Sequence, residues 1–296
     1  MPPVTPAGLT RPPTLPLVDA RTFLGLEPTG NPLRWRLPVR APLTTGGGFL
    51  FGGVGLAAAI EALEAATGRP LVWATAQYLS YALPPSVVDL EVTVAVSGRQ
   101  TAQARAVGRV GAQEIFTVNA ALGSRPLDAR GEWALRPDVA GPEQCPPLED
   151  VERDEGTIMS QIEMRLAGAR QVGELDGTPG DGRAALWARV DGLECSAGLL
   201  GILGDWVPFG IGQALGQRAG GNSLDNTLRV IKLVPSEWVL LDIRIHGIAN
   251  GFGHGLVHLW AEDGTLLATA SQSVIVRFWD DARRRAGSSG ATERSR

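Results

Sequence analysis

Residues 54–66 read VGLAAAIEALEAA, an alanine-rich stretch that places apolar side chains on nearly every face of a helix. Gly52 and Gly53 lead into it, and Gly68 follows at the position where a helix commonly ends. Because a helix that is apolar on almost all sides has to be enclosed by other elements, this stretch predicts a central helix surrounded by a sheet.

The segments that follow this helix are strand-like, and the same order occurs twice along the chain. In the first half, the strand-like runs are residues 71–81, 87–96, 101–110 and 114–122. In the second half, a run at residues 184–190 precedes an apolar helical segment, 196–217, and four more runs follow at residues 223–233, 238–248, 255–261 and 265–278. The two sets align at an offset of about 150 residues, which indicates an internal duplication.

One helix followed by four antiparallel strands fits a sheet wrapped around a central helix, which is the hotdog arrangement. We therefore predict an α+β fold, a tandem double hotdog with two antiparallel sheets, each wrapped around a central helix. Proline-rich and charge-rich composition marks the segments outside the repeats. The predicted organisation is a flexible N-terminal segment (1–32), an N-terminal hotdog (33–124), a linker (125–156), a C-terminal hotdog (157–279) and a disordered tail (280–296).

Composition excludes several classes of protein. A net charge of −4, with acidic and basic residues interspersed over 296 residues, gives no basic stripe for nucleic acid. The two cysteines form no CxxC pair, and the three histidines have no carboxylate or cysteine placed to complete a site, so neither a disulfide framework nor a metal is expected. The N-terminus lacks signal-peptide features and no apolar run approaches the ~20 residues of a membrane helix. We expect a cytoplasmic protein without a membrane span.

Asp205 is the most conspicuous polar residue of the second helical segment. It follows the apolar run LLGILG at residues 199–204, and a carboxylate in such a setting must be paired or functional, because burying an isolated charge is costly. Burial would also raise its pKa toward useful basicity. Asp205 can equally be the N-cap of a short helix starting at Trp206, with Pro208 in the first turn. The two roles are compatible.

Gln272 and Ser223 lie on strand-like runs at positions that look core-facing. By strand alternation Gln272 shares a face with Ala270 and Val274, and a buried glutamine needs hydrogen-bond partners. From the residues alone, Gln272 makes a structural hydrogen bond and Ser223 ends a strand.

Several short motifs occur in a fixed order over roughly residues 33–278. They are Phe51-Gly52-Gly53, Ser97-Gly98-Arg99, Gly204-Asp205, Ser223-Leu224-Asp225-Asn226, Glu237-Trp238-Val239-Leu240, and Asp263-Gly264-Thr265-Leu266-Leu267-Ala268 running on to Gln272 and Arg277. In this order and spacing they resemble the acyl-CoA thioesterase II group of double-hotdog proteins.

The resemblance implies hydrolysis of an acyl-CoA thioester to free acid and CoA. It assigns Asp205, Ser223 and Gln272 to holding and activating the water, without a cofactor, and it implies further self-association. The family usually has threonine where this chain has Ser223, which keeps the hydroxyl, and histidine where it has Asn226. A carboxylate for the water and donors for the oxyanion are the groups that thioester hydrolysis needs.

Gly52 and Gly53 are the candidate oxyanion or substrate-binding residues, because backbone N–H groups at a helix start favour negative charge. The alternative is that these glycines only allow a tight turn into the helix. At the repeat offset Asp205 falls near Gly55, and Gln272 falls near Ala121 and Leu122. We therefore expect one site per chain, with the first repeat as scaffold.

Two other functions stay open at this point. One is a non-catalytic hotdog protein that binds acyl-CoA or lipid. The other is a hotdog enoyl-CoA hydratase, which would need an Asp and His pair, and the segment after Asp225 offers no histidine.

Overall fold

The structure, a computed structural model, describes residues 17–149 and 155–278. The first half contains α1 (Ala20–Leu24), β1 (Glu27–Pro28), β2 (Arg34–Pro38), α2 (Gly52–Thr67), β3 (Leu71–Tyr78), β4 (Val87–Ser97), β5 (Thr101–Val110) and β6 (Gln113–Gly123). The second half contains β7 (Ile162–Gly168), β8 (Arg183–Val190), α3 (Ala197–Leu203), α4 (Val207–Leu215), β9 (Ala219–Ser223), β10 (Asp225–Val230), β11 (Val239–Ala249), β12 (Phe252–Ala261) and β13 (Leu266–Phe278).

The strands of both halves form one antiparallel sheet in the described part of the chain. Its order is β1-β2-β4-β5-β6-β3-β10-β13-β12-β11-β8-β7, and β9 pairs with β13 beside this path. The two halves meet where β3 pairs with β10, and the Thr75 and Thr227 hydroxyls lie 3.0 Å apart across that junction. Because neither β3 nor β10 is left as a free edge, the halves form a continuous layer.

Strand registers fix the offset between the repeats. Ala76 on β3 faces Val118 on β6, and Leu228 on β10 faces Ala270 on β13. Both pairings coincide at an offset of 152 residues, which is also the separation of Thr75 and Thr227. The predicted duplication therefore holds at the level of hydrogen-bonded partners.

The helices lie where the hotdog arrangement requires. The first repeat encloses α2, whose residues from Gly53 to Leu63 are buried, and Gly68 ends this helix in a left-handed conformation with a φ of 64°. In the second repeat α4 packs against β8, β9, β11, β12 and β13, while α3 packs against α2. This confirms the predicted tandem double hotdog. Among the described residues, no helix combines the length and apolar character needed to cross a bilayer.

The helical segment of the second half differs from the single helix predicted for residues 196–217. Two helices occur instead, α3 and α4, with Gly204, Asp205 and Trp206 between them. Pro208 explains the break, because its ring would clash with the carbonyl of Gly204 in a continuous helix. Pro208 is tolerated in the first turn of α4, where no intrahelical N–H donor is needed.

The segments predicted to be unstructured are partly ordered where the structure describes them. Within the predicted flexible segment 1–32, α1 packs against α2, and Ala20, Leu24 and Leu26 are buried. Within the predicted linker, Cys145 and Leu148 are buried, and Trp187 on β8 donates a 2.9 Å hydrogen bond to the Ala140 carbonyl. Residues 1–16 of the predicted flexible segment, the linker residues 150–154 and the predicted tail, 280–296, lie outside the described residues.

Candidate active site

Asp205 lies in the break between α3 and α4, beside the first turn of α2. Its exposed fraction is 7%, so the helix break places a carboxylate inside the protein and not at its surface. The turn of chain around Asp205 is held between the two repeats because α3 packs on α2 and α4 packs in the second sheet. The carboxylate therefore faces groups from both halves of the chain.

Three donors bind the Asp205 carboxylate. Its Oδ2 accepts a 2.7 Å hydrogen bond from the Gly53 backbone N–H, and its Oδ1 accepts a 3.3 Å hydrogen bond from Ser223 Oγ. Gln272 Nε2 donates to the same Oδ1 and also to Ser223 Oγ, the latter at 2.8 Å. The structure thus brings together the three side chains that the sequence pointed to, although they are far apart in the chain.

Gln272 connects this group to α4. It projects from β13, and its Oε1 accepts a 3.0 Å hydrogen bond from the Val207 N–H at the start of α4. The predicted N-cap role of Asp205 is therefore wrong: the helix begins at Val207 after Trp206, with no cap from a neighbouring side chain, and Gln272 serves one of its free N–H groups. The carboxamide oxygen accepts from Val207 and the nitrogen donates to Asp205 and Ser223, and together these hydrogen bonds fix the orientation of the Gln272 side chain.

Burial raises the pKa of Asp205 to about 6, against the opposing effect of its hydrogen bonds from Gln272, Gly53 and Ser223. At neutral pH the group is mostly ionised, yet it binds a proton far more readily than an exposed aspartate. A carboxylate with a pKa just below neutrality can accept a proton from water and release it to a leaving group.

The two glycines before α2 have different environments. A Cβ on Gly53 would lie 2.9 Å from the Gly201 carbonyl oxygen and from backbone atoms of Ile202, so glycine is required for α2 to approach α3. The N–H of Gly53 is engaged by Asp205, which differs from its expected role as an oxyanion donor. Gly52 opens the helix, where helix geometry leaves the N–H without an intrahelical acceptor.

Tyr78, at the end of β3 beside the carboxylate, was missed by sequence reasoning, and Asn226 on β10 was noted only because the family usually has histidine there. In the described chain, neither the Tyr78 hydroxyl nor either polar atom of the Asn226 side chain has a hydrogen-bond partner, and all three atoms are buried. Strand alternation could have flagged Asn226, because it shares the inward face with Leu228.

The first repeat contributes more to the site than the predicted scaffold role. At the offset of 152, Asp205 corresponds to Gly53 and Gln272 to Ala120, so the first repeat has no second carboxylate group at these positions. It nevertheless supplies the Gly53 amide to Asp205. The site is therefore made by both repeats.

Comparisons with known proteins agree with this architecture. The family description "Acyl-CoA thioesterase C-terminal domain" matches residues 142–276. A solved structure from Novosphingobium aromaticivorans, named as a candidate thioesterase, is 36% identical with a TM-score of 0.75, covering 84% of this chain and 97% of that one. Among curated proteins, none matches the chain.

Two more distant structures show the same fold. A hot dog fold protein of unknown function from Alicyclobacillus acidocaldarius is 19% identical with a TM-score of 0.77, and covers 88% of this chain and 98% of that chain. A candidate thioesterase II from Thermobifida fusca is 13% identical with a TM-score of 0.76, and covers 89% of this chain and 99% of that chain. These two likenesses show the hotdog fold. The 36% identity over most of the chain, with the matching C-terminal domain, shows that the chain belongs to the acyl-CoA thioesterase family.

Proposed function

We propose that this protein hydrolyses acyl-CoA thioesters to the free acid and CoA, with Asp205 activating the water. The observation that carries the proposal is a buried carboxylate with a pKa of about 6, held by donors from three separate segments of the chain. Burial favours the neutral form of a carboxylate, and these hydrogen bonds act against burial, so Asp205 is mostly ionised at neutral pH. Its position between the repeats fits the clefts where hotdog proteins hold small ligands.

The proposed chemistry uses Asp205, Ser223 and Gln272 to activate a water molecule. Asp205 accepts a proton as the water oxygen attacks the thioester carbonyl carbon, and the carbonyl π electrons move to its oxygen. Ser223 and Gln272 orient the water, since each has a hydrogen-bonding group directed at Asp205 Oδ1. The tetrahedral intermediate then collapses, the carbon–sulfur bond breaks, and the CoA thiolate takes the proton held by Asp205.

A non-catalytic acyl-CoA binding protein is the second candidate. One observation favours it: Gly53, Ser223 and Gln272 already satisfy Asp205 within the protein, as they would in a structural role. An enoyl-CoA hydratase is disfavoured, because the groups bonded to Asp205 are an amide, a hydroxyl and a carboxamide, where that reaction would need a histidine.

Thiol release from a panel of acyl-CoAs separates the two candidates. Replacement of Asp205 by asparagine should lower kcat by at least about 10²-fold, the scale of a general-base contribution. Asp242→Asn is the matched control, because Asp242 is also buried but lies on β11, paired with Arg244 at 2.7 Å. Turnover of the Asp205→Asn protein equal to that of the wild type, with the control also active, would exclude the proposed role.

A further inference from the structure

Tyr78 and Asn226 form a buried polar pair at the junction between the repeats. Tyr78 is the last residue of β3, and Asn226 lies on β10, which pairs with β3 so that Asn226 faces Ala76. Tyr78 is therefore two residues along from the partner of Asn226, on the same face of the sheet, and the two side chains are diagonal neighbours. The exposed fraction of Asn226 is 0%.

The phenol ring of Tyr78 reaches the site itself. A Cβ placed on Gly52 would lie 3.0 Å from Tyr78 Cζ, 3.2 Å from its hydroxyl oxygen and 2.8 Å from Asp205 Oδ2. The Tyr78 hydroxyl, the Asp205 carboxylate and the first residue of α2 thus surround one point. Because that point has no room for a methyl group, glycine at position 52 lets the phenol and the carboxylate approach the start of α2 this closely.

Leaving these polar atoms unpaired is costly, because each buried donor or acceptor without a partner costs about 1–3 kcal/mol. Hydrophobic residues would avoid this cost, and each of the two positions has a hydrophobic residue at its equivalent in the other repeat. At the offset of 152, Tyr78 corresponds to Val230 and Asn226 corresponds to Ala74. The chain therefore keeps the unpaired polar side chains on the half of the junction that faces the carboxylate.

We propose that the Tyr78 hydroxyl is a catalytic donor that binds the thioester carbonyl oxygen of the substrate and stabilises the oxyanion formed from it. The inference deepens the proposed hydrolysis and rests on it. When water attacks, the carbonyl π electrons move to the oxygen, which accepts a stronger hydrogen bond from Tyr78; the hydroxyl keeps its proton. The free N–H of Gly52 is placed to be the second donor.

The environment of Tyr78 suits a donor and not a base. Burial raises the pKa of Tyr78 well above its ordinary value, and the negative charge of Asp205 raises it further. The Asn226 side chain lies close enough to the Tyr78 hydroxyl for a hydrogen bond to act in the lowering direction on this pKa, but the two groups do not meet the distance and angle of a formed hydrogen bond. The phenol is therefore protonated at neutral pH, where Asp205 is mostly ionised, so the donor and the base are available together.

The first test removes only the hydroxyl. Tyr78→Phe should lower kcat by about 10²-fold, as loss of one oxyanion donor does, and raise KM by about 10-fold at most, the value of the hydrogen bond to the substrate carbonyl. Tyr81→Phe is the control: Tyr81 is the only other tyrosine, and its exposed hydroxyl accepts a hydrogen bond from Asn222. It should retain wild-type kcat. A Tyr78→Phe protein with wild-type kcat would overturn the proposal.

Thermal unfolding separates a structural role for the hydroxyl from a functional one. Since the hydroxyl has no partner in the described protein, its removal should leave Tm unchanged or raise it. A lower Tm for Tyr78→Phe, together with a proportional loss of active protein, would assign the hydroxyl to the fold and overturn the inference.

Binding of two CoA analogues makes the test independent of turnover. One is a ketone in which methylene replaces the thioester sulfur, and the other is an S-alkyl-CoA of equal chain length without a carbonyl. Tyr78→Phe should weaken the ketone by about 10-fold, the value of one hydrogen bond, and leave the thioether unchanged. Equal effects on both analogues, or no binding of the ketone to the wild type, would overturn the assignment. If the wild type hydrolyses no acyl-CoA but Tyr78→Phe still discriminates the analogues, the proposed hydrolysis fails and carbonyl binding by Tyr78 stands.

Discussion

Lowering the pH from 7 to 5 should inactivate this protein and stabilise its fold through the same residue, Asp205. With a pKa of about 6, Asp205 passes from mostly ionised to about one-tenth ionised over this interval. Because only the ionised form can accept a proton from water, kcat/KM should fall about 10-fold, with its midpoint near pH 6.

The stability effect has the opposite direction. The pKa of Asp205 is raised by folding from 3.8 to about 6, so the folded chain binds this proton more tightly than the unfolded chain. Stability associated with Asp205 is therefore greatest below pH 3.8 and is lost as the pH rises through about 6. The shift corresponds to about 3 kcal/mol over the whole range, and to about 1.3 kcal/mol between pH 5 and pH 7.

Urea unfolding of the wild type and of Asp205→Asn at both pH values isolates this contribution. The other carboxyl groups titrate in both proteins, so the difference between the two free energies of unfolding reports Asp205. That difference should shift by about 1.3 kcal/mol in favour of the wild type on going from pH 7 to pH 5. A pH-independent difference, or a kcat/KM that is constant from pH 5 to pH 7, would refute the reasoning that burial raises the pKa of Asp205.

Two further substitutions test the contacts of the site. Ser223→Ala removes one donor to Asp205, so the midpoint of the fall in kcat/KM at low pH should move to higher pH, and kcat should fall about 10-fold. Both are measured by thiol release. An unshifted midpoint would mean that Ser223 does not interact with the carboxylate. Gly53→Ala places a methyl group against the backbone at Ile202 and should lower the free energy of unfolding in urea by about 1–3 kcal/mol. A variant as stable as the wild type would show that α2 can move away from α3 at no cost.

The repeats could be predicted because the apolar pattern extends over many residues in each half. An enclosed helix such as α2 and alternating strands leave a periodic signal that survives in the sequence, and so does a duplication. The break at Pro208 was also readable, since proline cannot continue a helix. The contact that caps α4 was not readable, because the acceptor for the Val207 N–H comes from Gln272, 65 residues away, and depends on strand register.

The site also combines residues that the sequence indicates with contacts that only the three-dimensional structure shows. The resemblance to a family brought Asp205, Ser223 and Gln272 into view, but no local pattern shows that the Gly53 amide faces the carboxylate. Tyr78 looked like an ordinary strand residue, because its missing partner can be seen only in three dimensions. Composition misled for residues 17–32, where buried side chains such as Leu24 outweigh the surrounding prolines.

The packing of α2 on α3 limits how closely the first repeat can match the second in sequence at the position of Asp205. The position that carries the acid in one repeat is occupied in the other by Gly53, where even a methyl group would meet the backbone of the neighbouring helix. Copying the second repeat onto the first would therefore not produce a protein with two acids; it would force the helices apart. A second site in this chain would therefore require either a carboxylate at another position or an additional double unit.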